Sequence, residues 1–135
     1  MISLSKYVIQ EHTQEQRAST PRHYDLRIEI PRKKLLASWS IPKCEIPKKY
    51  KDRVMAIRGF DHGKYWLFFQ GDIPEGESGE GNVKILETGE AEILGWSNRF
   101  ITFVGKGNML HGKYHLTLLP EKGNPNAWIL LKGKD

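Results

Sequence analysis

Along this chain, apolar and polar residues alternate in short runs broken by glycine, proline and asparagine, and no stretch sustains a helical period. The alternation predicts strands at Lys6–Glu11, His23–Ile30, Leu35–Ile41, Arg53–Phe60, Tyr65–Gln70, Asn82–Glu87, Ala91–Trp96, Arg99–Val104, Lys113–Leu119 and Ala127–Lys132. Pro31, Pro42, Pro47, Gly63, Gly71, Pro74, Gly89 and Gly123-Asn124-Pro125 fall where such strands need turns. Many short strands in a small chain predict an all-β, mainly antiparallel fold, a compact closed β-barrel, because closure removes exposed sheet edges. Helix is confined to short pieces, around Thr13–Ala18 or Pro47–Tyr50. Trp39, Trp66, Phe68, Phe100, Phe103 and Trp128 are assigned to the interior.

A length of 135 residues suits one domain, residues 1–135, able to bury a core. Lys and Arg total 21 against 16 Asp and Glu, a net charge of +5 that suits a polyanionic partner without requiring one. A single cysteine, Cys44, excludes an internal disulfide framework and a Cys-rich zinc site. The start Met-Ile-Ser-Leu-Ser-Lys lacks a secretion signal's basic and apolar regions, and no apolar run approaches the ~20 residues of a membrane helix. The expectation is a soluble, cytoplasmic protein with no membrane partner.

The most informative strand is Arg22-His23-Tyr24-Asp25-Leu26-Arg27-Ile28-Glu29-Ile30. Alternate side chains point to opposite faces, so Tyr24, Leu26, Ile28 and Ile30 make a core face while His23, Asp25, Arg27 and Glu29 line the other. A solvated outer sheet face gives the same pattern. The order of groups points to chemistry as well. An imidazole and a carboxylate two residues apart can reach one divalent cation of the Mn²⁺, Fe²⁺ or Zn²⁺ type. Arg27 then sets a planar fork of donors beside it, suited to phosphate or carboxylate. His12, across a polar segment, is the candidate further ligand, and His62 follows Asp61 at a strand end. His111 and His115 lack such company and are read as structural or surface residues. The glycine-rich run from Ile73 to Asn82 has no phosphate-loop Lys-Ser or Lys-Thr pair and carries three glutamates, so it reads as a connection whose glycines take positive φ or admit another backbone.

Taken together, Tyr7-Val8-Ile9-Gln10-Glu11-His12, His23-Tyr24-Asp25-Leu26-Arg27-Ile28-Glu29, Ser38-Trp39-Ser40-Ile41-Pro42-Lys43, Asp61-His62, and Gly71-Asp72-Ile73-Pro74-Glu75-Gly76 with Gly79 and Gly81 closely resemble the 3′-phosphoesterase domain of bacterial DNA ligase D. Leu110-His111-Gly112-Lys113-Tyr114 and Trp128-Ile129-Leu130-Leu131-Lys132 continue the match. The resemblance implies a compact barrel and a Mn²⁺-dependent activity, with Zn²⁺ or Co²⁺ as alternatives. That activity removes a 3′-terminal ribonucleotide and then a 3′-phosphate to leave 3′-OH. It implies primer–template 3′ ends of DNA or RNA-tipped DNA as substrates, with ligase, polymerase and Ku end-joining proteins as separate partners. By position, His12, His23 and Asp25 resemble metal ligands; Arg27, His62 and Lys43 resemble phosphate contacts. His62, if protonated, would also donate a proton to the leaving oxygen.

Three departures from the family pattern stand out. His12 and His23 lie eleven positions apart, a wider separation than usual. Phe60 stands where the family has an acidic residue, and Trp66 where it has a tyrosine, with Tyr65 alongside on the other face. Two rival readings remain: a catalytically silent nucleic-acid-binding barrel, and a non-haem iron oxygenase using His23, Asp25 and a later histidine.

Overall fold

The computed structural model describes residues 3–14, 22–77, 79–120 and 124–135. Its strands are β1 (Ser3–Thr13), β2 (Arg22–Glu29), β3 (Leu35–Ile41), β4 (Arg53–Arg58), β5 (His62–Gly63), β6 (Gly71–Ile73), β7 (Gly81–Trp96), β8 (Phe100–Lys106), β9 (His111–Leu118) and β10 (Ala127–Lys132). Eight of them run antiparallel in the order β1-β2-β3-β4-β10-β9-β8-β7, and β7 pairs back onto β1. That last pairing closes the barrel, and the expected all-β class and closure hold. No helix among the described residues is long and apolar enough to cross a membrane.

Period-two alternation sorts each strand's side chains between two environments. Tyr7 and Ile9 of β1, Leu26 and Ile28 of β2, and Trp39 of β3 join Phe103, Tyr114 and Trp128 in the interior. Val8 and Leu36, of opposite parity on those strands, form a second cluster on the outside with Leu67, Trp66 and Ile85. That outer cluster exists because the chain between β4 and β7 leaves the ring and folds back over it. β5 pairs with β3, β6 pairs with β7, and a 3-10 turn at Lys64–Leu67 lies between them. The Lys64 ammonium reaches the Glu29 carboxylate at 3.0 Å, tying the turn to β2.

Several sequence expectations need correction. Tyr65–Gln70 is not a strand: its aromatic run suits β structure by propensity, yet it packs as a turn over a surface already formed by β1 and β3. Phe68 (71% exposed) and Phe100 (44% exposed) are not interior, and Trp66 is half-buried in the outer cluster. Phe100 instead stacks on His115 outside the barrel, ring centroids 5.5 Å apart. Pro47–Tyr50 is not a helix, and Thr13–Ala18 lies mostly outside the described residues, Thr13 itself ending β1.

Gly89 is not a turn. The two strands expected around it are one sixteen-residue strand, β7. Gly89 faces Tyr7 in the β1–β7 register, and a Cβ there would stand 2.7 Å from the Tyr7 hydroxyl oxygen. The glycine admits the ring that donates its hydroxyl to Glu87 Oε2 at 2.7 Å.

Candidate active site

The strand registers determine which polar groups meet. His12 faces His23; Gln10 faces Asp25, which faces Ser40; Val8 faces Arg27, which faces Ser38. All share the parity of Val8 and Leu36 and therefore stand on the barrel's outer face, beneath the β5–turn–β6 excursion. The polar row of β2 is thus outside the barrel but not solvated: Asp25 and Arg27 are each 6% exposed, as is His12, and Gln10 is fully buried. His23, Asp25 and Arg27 of this row line a cavity of about 260 Å³ together with His12, Ser38, Ser40 and His62. Glu29, the fourth member of the row, is absent from this lining and instead accepts from the Lys6 amide at 2.6 Å.

One nitrogen of His12, one of His23 and one oxygen of Asp25 lie within 4.8 Å of one another. Asp25 Oδ2 is 3.7 Å from His12 Nδ1, and Oδ1 is 3.3 Å from His23 Nε2. The far side of His12 sets its tautomer. Nε2 is 3.3 Å from the Glu80 carbonyl, which can only accept, so Nε2 carries the proton. In the neutral ring Nδ1 is then a lone pair facing a carboxylate, an arrangement that calls for a proton or a metal ion between them. The adjacent Asp25 carboxylate raises the His12 pKa although burial opposes it. Burial favours the neutral form of Asp25, but His12, His23 and Arg27 together hold its pKa below the usual carboxylate range. The cluster fits a divalent cation with mixed nitrogen and oxygen preference.

Arg27 organises the neighbouring half of the cavity. Its Nε donates to Gln10 Oε1 at 2.8 Å, and Nη1 donates to Ser38 Oγ at 2.9 Å and lies 3.1 Å from His62 Nδ1. Its Nη2 is 3.6 Å from Asp25 Oδ2. The fork expected to grip phosphate with two prongs is therefore largely engaged in holding the site, leaving Nη2 for a ligand. His62 accepts at Nδ1, so its neutral ring carries the proton on Nε2. Burial and the Arg27 charge both lower its pKa, which disfavours the imidazolium that protonation of the leaving oxygen would need.

Trp66 belongs to the site despite replacing a tyrosine. The Arg27 guanidinium lies over its ring at 5.0 Å, and the ring meets His62 edge-on at 5.5 Å. Lys43 does not line the cavity: its side chain is 73% exposed and reaches Glu45 at 3.9 Å. It lies in the turn that follows β3. Phe60 is 90% exposed. Of the remaining histidines, exposed His111 approaches the Gly107 carbonyl and His115 approaches Thr102, both away from the cavity.

Gln10, Ser38 and Ser40 contact the candidate residues, although the sequence pattern gave them no role of their own. Their signal was the same alternation: Gln10 is two residues from His12, and Ser38 and Ser40 interrupt a β3 pattern whose other parity is apolar. The glycine-rich run is more than a connection. Gly76, Gly79 and Gly81 do take positive φ, but Gly79 lines the cavity and Glu80 supplies the carbonyl that orients His12.

Residues 10–118 match the family model of the DNA Ligase D 3′-phosphoesterase domain. The chain belongs to that family. Relatives include the multifunctional non-homologous end joining protein LigD of Pseudomonas aeruginosa, 30% identical over 98% of this chain and 15% of that protein. LigD of Mycolicibacterium smegmatis is 34% identical over 96% of this chain and 16% of its own length. The chain thus spans about a sixth of these LigD proteins. Membership bears on the oxygenase rival too. That reading needs a histidine later than Asp25 as a ligand, whereas the grouped donors are His12, His23 and Asp25, and His62 turns its Nδ1 to Arg27.

Proposed function

We propose that this protein is a metal-dependent 3′-end-processing phosphoesterase that removes 3′-terminal ribonucleotides and 3′-phosphates from primer–template DNA, leaving 3′-OH. The observation that carries the reading is one cavity holding a two-histidine, one-carboxylate donor set against a buried guanidinium and the His62 imidazole beside it. Family membership narrows that chemistry to phosphoesters.

His12, His23 and Asp25 would hold the ion, Mn²⁺ first among the candidates, with Zn²⁺ and Co²⁺ compatible with the same donors. When bound, a divalent cation supplies Lewis-acid polarisation of a phosphoryl oxygen. The protein's own groups do the rest. Arg27 Nη2 and the Nε2 proton of His62 donate to the other phosphoryl oxygens and stabilise charge that grows toward the transition state. Gln10 and Ser38 keep the guanidinium in plane and aimed, and Ser40 donates to Asp25 Oδ1 at 3.0 Å, fixing the carboxylate. Trp66 packs against Arg27 and His62 and lowers the dielectric around them, which strengthens their contacts. The setting that fits is end joining in a prokaryotic cytoplasm, alongside ligase, polymerase and Ku.

The deciding experiment is a gel assay. Purified protein is given a primer–template ending in a 3′-ribonucleotide and, separately, in a 3′-phosphate, with Mn²⁺, Mg²⁺, Zn²⁺ or EDTA. Shortening of the first and dephosphorylation of the second with Mn²⁺, both abolished by EDTA, are expected. Metal-indifferent binding without turnover would replace the proposal with the silent barrel.

A further inference from the structure

A second cavity opens elsewhere on the outer wall, where β4, β9 and β10 meet. It has a volume of about 520 Å³ and is lined by Tyr50, Lys51, Arg53, Lys113, His115 and Lys134 among others. These residues lie outside the barrel because their strand neighbours Val54, Tyr114 and Leu130 lie inside it. The local carboxylates leave most of this charge uncompensated. Asp135 accepts from the Lys113 amide and from the Lys132 ammonium, and Asp52 accepts from the Lys49 amide. The ammonium groups of Lys51, Lys113 and Lys134 and the Arg53 guanidinium have no ion pair among the described residues.

Two features fix the geometry of the patch. Lys51 has φ 76, a left-handed conformation unfavourable for lysine, and is held there by its amide bond to the Lys132 carbonyl at 3.0 Å. The returning bond, from the Lys132 amide to the Asp52 carbonyl at 2.9 Å, clamps the basic turn to β10. The exposed Tyr50 ring borders the cavity, and Phe100 stacks on its wall residue His115.

The registers relate this cavity to the first. Tyr24, next to His23, faces Ile41; Ser40 faces Ile57; β4 runs back from there to Arg53, which faces Leu131, which faces His115. Both cavities therefore sit toward the same end of the strands. The turn that carries exposed Lys43 leaves β3 at this same end, on the way to β4.

We propose that the Lys51–Arg53–Lys113–Lys134 cavity binds the phosphodiester backbone of the nucleic acid whose 3′ end occupies the His23–Asp25 cavity, with Lys43 on the path between. The assignment rests on the proposed function, which brings a polyanion to this end of the barrel. Cations spaced around an outer wall beside exposed aromatic rings suit an extended chain of phosphates and bases. The contact positions substrate and takes no part in bond cleavage.

The test is fluorescence anisotropy of a labelled primer–template in EDTA, at several salt concentrations, with wild-type protein and with K51Q/K113Q and K51E/R53E/K113E. Matching melting temperatures would show that the variants fold. The slope of log K against log salt should shrink by about 1 for each phosphate contact removed. An unchanged slope, or no binding by wild-type protein, would overturn the inference. So would displacement of the DNA by polyglutamate at equal charge, which would mark a general anion surface. Because EDTA removes catalysis, a protein that binds here but never cleaves with metal would refute the proposed function and leave this inference standing.

Discussion

The Nδ1 of His62 lies 3.1 Å from Nη1 of Arg27, and this contact makes the two side chains one unit. A cation that donates to an imidazole keeps that imidazole neutral, and a neutral ring with its proton on Nε2 offers a hydrogen bond toward the cavity. Replacing Arg27 by Lys keeps the charge but cannot serve Gln10, Ser38 and His62 together. R27K should lower Mn²⁺-dependent phosphate release by about 10²–10³-fold, as expected for a lost transition-state donor. Activity near wild type in a phosphate-release assay would remove Arg27 from the chemistry.

His12, His23 and Asp25 are expected to act as one ligand set. Added Mn²⁺ should raise the melting temperature of wild-type protein, by roughly 2.7 kcal/mol of stabilisation at a hundred times the dissociation constant. H23A and D25N should show little or no such shift in scanning calorimetry. A shift of wild-type size in both variants would mean that the ion binds elsewhere.

Gln10 is fully buried and bonded at both ends. Its Nε2 donates to the Trp66 and Phe69 carbonyls at 2.9 and 3.0 Å, while its Oε1 accepts from Arg27. Q10A therefore leaves a buried donor on Arg27 and two turn carbonyls unpartnered. The expected loss is about 1–3 kcal/mol in urea unfolding. Limited proteolysis should then cut the segment from Phe60 to Gln70 faster than in wild type, since that amide holds it to β1.

At the β1–β7 seam, G89A would drive a methyl group into the Tyr7 ring, whose nearest atoms lie 2.7–2.9 Å from the position that methyl carbon would take. Overpacking of this kind costs about 1–3 kcal/mol, and chemical denaturation should show a lowered midpoint with an unchanged slope.

Glu87 gives the fold an acid-sensitive element at the same seam. Burial raises its pKa, but the Met109, Leu110 and Asn108 amides and the Tyr7 hydroxyl outweigh that and lower it. A depressed folded-state pKa contributes stability above the unfolded value of about 4.5, lost as pH falls through the folded value. E87Q should therefore melt lower than wild type near neutral pH, and the gap should narrow as the solution is acidified below that range. A gap independent of pH would assign the effect to packing alone.

The alternation in β2 was enough to put His23, Asp25 and Arg27 on one face and to predict a closed all-β barrel, because side-chain period is a local property of extended backbone. Alternation does not say which face becomes covered. That was decided when the chain after β4 folded back and laid Trp66 and Leu67 over Val8 and Leu36, burying the polar row outside the barrel. Cross-strand register brought His12 to His23 and Gln10 to Asp25, while Lys43, beyond the end of β3, stayed exposed and outside the cavity lining. Gly89 shows the same division: as a residue it reads as a breaker, and only the approach of Tyr7 from β1 makes it part of a continuous strand. Contacts between residues distant in sequence selected one of the pairings that local pattern allowed.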